Sequence, residues 1–376
     1  MVMINMVDQP FKILLLANHD AYVYNLRLEI IKAFLTLGYE VIVSCPYGSR
    51  IKDLEDLGCS YIETAFNNRG TSVRDDLKLI SHYREIIKKS NPQVVLTYTI
   101  KPNIYGGIAA SKENVPYIAN ITGLGTAVEN KGLMQKLAIG LYRFAFRKVF
   151  CVFFQNQDNL NFFRERKIAL GREILIPGSG VSLTKFRPLS FPDDKQTAFV
   201  FIARVVKEKG IDHYLEAAQA IRSKYENTQF HICGFCEESY KDVLTKYQED
   251  GTVIYHGMLT DVREIFQVTH CTVLPSYHEG LSNILLESAA SSRPNITTNI
   301  NGCKEVVEDG ITGFLVESKS TEDLVAGIEK FLCLGYEDRK RMGENGRLKV
   351  EREFNREIVV KAYLEVVDSL IKNDMG

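Results

Sequence analysis

Two glutamates eight residues apart, Glu279 and Glu287, fall in the run Pro275-Ser-Tyr-His-Glu-Gly-Leu-Ser-Asn-Ile-Leu-Leu-Glu287. The apolar residues up to Leu274 read as a strand. Gly280 permits a tight backbone path, and Ser282 is a side chain able to cap a helix beginning at the next residue. Unpaired N–H groups at such a helix start attract an anion, and a diphosphate suits them. Carboxylates are good acceptors for paired sugar hydroxyls. One carboxylate before the helix and one in its second turn, on either side of a phosphate cradle, can hold a ribose and a hexose at once. As a bare spacing, Glu-x7-Glu means only two exposed glutamates at an ordinary helix start. The strand, the glycine and the helix start around it carry the functional reading.

A second run, Ala203-Arg204-Val-Val-Lys-Glu-Lys209-Gly210-Ile-Asp212, follows another strand-like segment. Arg204 and Lys209 are five apart in a loop entering a helix. Two fixed cations neutralise a leaving diphosphate and lower the barrier to breaking a sugar–phosphate bond. The plain alternative is a solvated charged loop. Earlier in the chain, Thr97-Tyr-Thr-Ile-Lys101-Pro-Asn103-Ile-Tyr-Gly-Gly107 and Asn120-Ile-Thr122-Gly123-Leu-Gly125-Thr126 each follow a strand. Their glycines let backbone approach a ligand closely, and Lys101 is either a phosphate-neutralising cation or a surface lysine. Asn18-His19-Asp20-Ala-Tyr22 occupies the first strand-to-helix turn and lacks Gly-x-Gly-x-x-Gly, which argues against a dinucleotide cofactor. His19 is equally well a solvated loop histidine. Lys101, Asn103, Thr122, Gly123 and Tyr22 are the acceptor-side candidates.

The two charged motifs resemble the retaining glycosyltransferases of family 4, whose GT-B fold faces two doubly wound Rossmann-like domains across a cleft. Glu279-Gly280 through Glu287 is similar to the donor motif of that family, and Arg204 to Gly210 to its Arg…Glu-Lys-Gly arrangement. The resemblance implies that Glu287 binds the nucleotide ribose and Glu279 the donor sugar hydroxyls on the reacting face. It puts phosphate on the backbone near Leu281, Ser282 and Asn283, and also on Arg204 and Lys209. It puts the base beside Tyr255-His256-Gly257. The first-half stretches resemble a branch that extends undecaprenyl-diphosphate-linked sugars in capsule, O-antigen or glycoprotein-glycan assembly. Many family members carry a His where Thr122 stands; the branch itself has the Thr-Gly-Leu-Gly form. The resemblance further implies a UDP-sugar donor, a lipid-diphosphate-linked acceptor and retention by front-side attack. There is no Asp-x-Asp, so the expectation is metal-independent transfer with no cofactor, cations and a helix start supplying the positive field. The rival functions are a sugar-nucleotide epimerase or hydrolase on the same fold, and a catalytically silent glycan-binding protein.

Both motifs need strands to position them. Apolar runs at 11–16, 40–44, 94–97, 117–121, 152–154 and 174–176 alternate with helical patterns, the first at 24–37. The turn cluster Pro177-Gly178-Ser179-Gly180 and a polar, Pro-bearing stretch at 188–196 interrupt the series. It restarts with strands at 198–202, 229–233, 253–256, 271–274, 295–298 and 314–316. Continuous apolar strands between helices imply parallel sheets covered on both faces. The expected domains are 1–180 and 181–355, with an amphipathic helix from 356 to the end packing back on the first. Ligands bind beyond the carboxyl ends of such strands, where these motifs lie.

The 376-residue chain is 45% hydrophobic and 25% charged, enough for two cores. Its net charge of −1 is uneven: residues 1–180 hold 22 basic and 16 acidic side chains, the rest 24 and 31. The stretch 129–172 alone holds nine basic against three acidic residues. Nucleic-acid binders are usually basic overall, which excludes that class. At 131–150, basic and aromatic residues mix at helical spacing. Leu133, Leu137, Leu141 and Phe144 have core spacing, while Lys136, Arg143, Arg147 and Lys148 suit anionic lipid head groups. No apolar run is long enough to span a bilayer, and the first twenty residues make a poor secretory signal. The expected location is cytoplasmic, peripheral on the inner face of the membrane. Cys233 and Cys236, after His231, lack a second ligand pair and read as two packed thiols.

Overall fold

The computed structural model describes residues 10–64, 73–123, 132–169 and 171–374. Gly125, Thr126 and Lys131 lie outside them. The chain divides into two compact units, one holding the residues up to Ser179 together with those from Glu357 onward, the other Gly180–Arg356.

The first unit is built on a parallel sheet in the order β3-β2-β1-β4-β5-β6-β7. Its strands are β1 Lys12–Leu16, β2 Glu40–Cys45, β3 Ser60–Glu63, β4 Val94–Tyr98, β5 Tyr117–Ile121, β6 Cys151–Phe154 and β7 Arg172–Leu175. Strand alternation sends side chains to both faces. Leu14, Leu16, Ile42 and Val95 face a core completed by Leu79, Tyr83, Ile86 and Phe146. Ile13, Leu15, Val41 and Leu96 face another, closed by Val359, Tyr363, Val366 and Val367 of the helix Arg356–Asp374. The sequence reading passes over β3, an edge strand with only partial burial, because its Ser-Tyr-Ile-Glu has no apolar run. The first helix begins at Asp20 rather than 24 because the ring Nδ1 of His19 accepts the Ala21 N–H at 3.2 Å and caps it.

The second unit repeats the plan with six parallel strands in the order β10-β9-β8-β11-β12-β13. These are β8 Thr197–Ile202, β9 Thr228–Cys233, β10 Ile254–Tyr255, β11 Cys271–Leu274, β12 Asn295–Thr298 and β13 Gly313–Val316. Arg293, fully buried, binds the polar entry segment: its guanidinium donates to the carbonyls of Leu189 and Ser190 at 3.3 and 2.7 Å, and to that of Phe266 at 2.7 Å. At the core centre Phe199 is stacked on Phe230 at 5.0 Å and meets Phe331 edge-on. In both sheets the strand order reverses beside the first strand, between β1 and β4 and between β8 and β11, and open parallel sheets bind ligands at the carboxyl ends of such reversals.

Phe199→Ala removes a fully buried ring and leaves a cavity, so it should cost about 3–5 kcal/mol in urea unfolding. Truncating the exposed Val268 to Ala should stay within about 0.5 kcal/mol.

Candidate functional site

The loop leaving β8 carries Arg204 and Lys209, and the loop leaving β11 carries Glu279. The two strands are hydrogen-bonded neighbours, so both loops emerge at the reversal of strand order. Their backbones are joined there. Gly210 adopts φ +74°, and a Cβ on it would lie 2.0 Å from the Pro275 carbonyl oxygen, so only glycine lets this turn press on the exit of β11. The Glu208 carbonyl accepts the Tyr277 N–H at 2.9 Å and the Ser276 hydroxyl at 3.3 Å. Gly302 at φ +85° closes the other side. A Cβ there would sit 2.7 Å from the carbonyls of Glu279 and Gly280, and its own carbonyl accepts the Ser282 N–H at 2.8 Å.

These supports place Lys209 against Glu279, with Nζ donating to Oε1 at 2.6 Å and both side chains largely shielded. The sequence reading gave the two separate ligand groups; the structure makes them one ion pair. Arg204 is more exposed and lies 3.5 Å from Glu237, a partner the sequence reading missed because it follows a different strand, β9. The helix Asn283–Ala290 follows, with Ser282 at its N-cap. Here the sequence expectation is corrected: the Ser282 side chain makes no capping hydrogen bond. The Oδ1 of Asn283 is buried without a hydrogen-bond partner, and Leu281 is buried. The helix start therefore presents main-chain donors rather than a side-chain cap.

Glu287 lies in the second turn of that helix. Burial pushes its carboxyl up to about 7, opposed by the charges of Lys185 and Arg356 and reinforced by Asp261. Neither cation belongs to a motif; folding alone brings them near. Gly257, at φ +70°, follows β10, and its carbonyl accepts the Gly234 N–H at 2.8 Å. Beside it the rings of His231 and His256 are stacked, with Nδ1 and Nε2 2.9 Å apart. Burial, then the neighbouring ring, pushes His231 down to about 4. Burial also raises the Cys233 thiol to about 12, as for a packed, protonated cysteine.

In the first unit, Tyr22 is exposed in the first helical turn, its ring 5.4 Å from that of His19. Lys101 lies 3.6 Å from Asp76. Thr122 and Gly123 follow β5 and are partly exposed. Asn103 is a correction: it is buried, and its side chain bonds Thr97 and Asn120 instead of facing a ligand. The helix Leu133–Ala145 holds a second one. Leu137, Leu141 and Phe144, which have core spacing, are exposed together with Met134, whereas Tyr142 and Ala145 face the core.

Both halves of the chain resemble known proteins. The family described as glycosyl transferases group 1 matches residues 184–349, and that described as glycosyl transferase 4-like matches residues 12–156. A Campylobacter jejuni N,N'-diacetylbacillosaminyl-diphospho-undecaprenol alpha-1,3-N-acetylgalactosaminyltransferase is 26% identical, over 95% of this chain and 98% of its own. An Escherichia coli UDP-Gal:alpha-D-GlcNAc-diphosphoundecaprenol alpha-1,3-galactosyltransferase is 26% identical over 89% of each chain. Among solved structures, sucrose-phosphate synthase from Thermosynechococcus elongatus superposes with a TM-score of 0.80 at 17% identity, covering 96% of this chain and all of the other. Two such sheets with these loops define a glycosyltransferase of the GT-B fold. More particularly, the carboxyl-terminal part resembles glycosyl transferases group 1 and the amino-terminal part resembles the glycosyl transferase 4-like family.

The raised Glu287 carboxyl sets a pH dependence. Below the ordinary value of 4.5 both folded and unfolded chains hold its proton. Between 4.5 and about 7 only the folded chain does, so stability falls as pH rises through that window. Glu287→Gln should flatten this, gaining on the order of 2 kcal/mol over the natural chain between pH 5 and pH 8 in urea unfolding.

Proposed function

We propose that this glycosyltransferase moves a hexose or N-acetylhexosamine from a UDP-sugar to a lipid-diphosphate-linked saccharide in bacterial surface-glycan assembly, with retention of configuration. The observation that carries the reading is the meeting, at one strand-order reversal, of the Lys209–Glu279 pair, Arg204 and a helix start without a side-chain cap. Full-length relatives whose names specify undecaprenol-linked acceptors support the substrate class. In this reading Arg204, Lys209 and the main chain at Gly280, Leu281 and Asn283 hold the diphosphate, while Ser282, whose N–H is given to the Gly302 carbonyl, fixes the turn between them. Glu287 accepts from the ribose hydroxyls, Glu279 from those of the donor sugar, and Gly257 borders the base. Thr122, Gly123, Lys101 and Tyr22 face the acceptor.

The anomeric carbon–oxygen bond to the diphosphate breaks as the acceptor hydroxyl oxygen bonds to the same carbon. The hydroxyl proton passes to the departing phosphate oxygen. Charge grows on the diphosphate, where two cations and main-chain dipoles stabilise it without a metal. The chemistry needs only positioning and a fixed positive field.

The acceptor's lipid would lie in a membrane, and the helix Leu133–Ala145 suits that surface. Met134, Leu137, Leu141 and Phe144 form an exposed apolar stripe at helical spacing, flanked by exposed Lys136, Arg143, Arg147 and Lys148. Apolar insertion with a basic flank fits the anionic inner face of a cell membrane. No helix among the described residues is long and apolar enough to cross a membrane.

UDP release from UDP-galactose or UDP-N-acetylhexosamines should require a lipid-diphosphate saccharide and should persist in a chelator. Release without acceptor would instead indicate a hydrolase or epimerase, and glycan binding without release a silent binder. Glu287→Ala should weaken UDP affinity by about tenfold or more, the loss of hydrogen bonds to a charged acceptor, read by calorimetry. Unchanged affinity refutes the ribose role. Leu137→Asp with Phe144→Asp should abolish sedimentation with phosphatidylglycerol vesicles while leaving transfer to a short soluble acceptor intact. Retained sedimentation would remove this helix as the contact.

A further inference from the structure

The ends of β4 and β5 are held by a buried polar network that the reaction scheme leaves unused. Asn120, next to last in β5, has four polar atoms engaged. Its N–H donates to Asn103 Oδ1 at 3.3 Å, and its carbonyl accepts from Asn103 Nδ2 at 2.7 Å. Its Nδ2 donates to the Thr97 carbonyl at 3.0 Å, and its Oδ1 accepts the hydroxyl of Tyr363. Asn103 Oδ1 also accepts the Thr97 hydroxyl at 2.7 Å. Thr97, Asn103, Asn120 and Tyr363 are each at most 1% exposed. A side-chain network this far from water is held only when its members are satisfied, and then it is rigid.

Two local features show what that rigidity is for. Asn103 belongs to a π-helical turn, Pro102–Gly106, that starts directly after Lys101, and its N–H donates to the Thr99 carbonyl at 2.9 Å. Thr99 sits at φ +70°, a strained setting for a β-branched residue, with its hydroxyl oxygen buried and unpartnered. On the other strand, Thr122 and Gly123 follow Asn120 by two and three residues. The network therefore couples both acceptor-side loops to one another. Its outermost member comes from the carboxyl-terminal helix, where the Tyr363 ring is stacked on Phe153 at 4.5 Å. Packing alone would be satisfied by phenylalanine; the hydroxyl is there for polar contact, bonding Asn120 and lying beside the Tyr98 hydroxyl.

We infer that Tyr363, Asn120 and Asn103 are positioning residues of the acceptor site, holding the Thr122–Gly123 turn and the Lys101 turn in register with each other. The inference rests on the acceptor role proposed above for these loops. Tyr363→Phe keeps the ring and removes only the hydroxyl. It leaves the Asn120 oxygen unsatisfied and frees the end of β5.

The test compares Tyr363→Phe with Leu370→Ala, which loosens the same helix two turns away from the network. In Tyr363→Phe the KM for a lipid-diphosphate saccharide should rise about tenfold, with kcat and UDP affinity within about twofold. Amide exchange at Thr122 and Gly123 should quicken about tenfold. Leu370→Ala should lower the melting temperature with acceptor KM unchanged. An acceptor KM unmoved in Tyr363→Phe, a parallel loss of UDP affinity, or equal KM effects in the two variants would overturn the inference. Should the natural chain show no acceptor-dependent transfer, the proposed function fails instead; exchange at Thr122 and Gly123 then decides the positioning role by itself, unchanged exchange sinking it.

Discussion

The meeting of the loops that leave β8 and β11 depends on one close backbone approach, that of Gly210 to the carbonyl of Pro275. Parallel sheets bring strand ends together, but strand spacing of about 4.8 Å is too coarse to set a side-chain ion pair. The glycine contact and the hydrogen bonds from Tyr277 and Ser276 to the Glu208 carbonyl remove the remaining freedom. Lys209 and Glu279, seventy residues apart in sequence, then meet at 2.6 Å. A residue with a Cβ at position 210 would push the two loops apart and separate the cation from the carboxylate.

The electrostatics follow from that placement. Lys209 and Glu279 are shielded enough for their attraction to exceed that of a solvated pair, yet they keep an open side. Glu287 is in a different setting. It lies in the second turn of a helix, where desolvation outweighs the charges of Lys185 and Arg356 and pushes its carboxyl up to about 7. The two glutamates of one motif thus have opposite environments, one ion-paired and one desolvated.

The first unit solves its positioning problem without charge. Its strand ends are joined by amide and hydroxyl groups from β4, β5, a π-helical turn and the last helix. A buried neutral network gives rigidity while avoiding the desolvation cost of buried ions. On the outside of the same unit, the helix Leu133–Ala145 shows a stripe of exposed apolar side chains beside basic ones. Water disfavours such a surface, and the membrane contact proposed above would cover both of its halves.

Fold class and most strands of both sheets were legible in the sequence, because buried parallel strands are continuous apolar runs and glycines mark the loops that follow them. The strands at 117–121, 271–274 and 295–298 were legible to the residue. The edge strand Ser60–Glu63 was not, since half of its surface faces solvent and its pattern resembles a loop. Local sequence could name Ser282 as a cap and Asn103 as a ligand contact, but neither role survives folding. Whether a side chain caps, pairs or is buried depends on what lies opposite, and that comes from distant segments: Gly302 beside Ser282, Asn120 and Thr97 around Asn103. The exposed stripe at 134–144 has the same cause, for helical spacing reveals an apolar face but not what covers it. The sequence by itself determined which groups were available and on which strand ends they stood. Only the tertiary structure decided their partners, because the bond between Lys209 and Glu279 and that between Tyr363 and Asn120 close loops of 70 and 243 residues, whose ends meet through packing and not through local pattern.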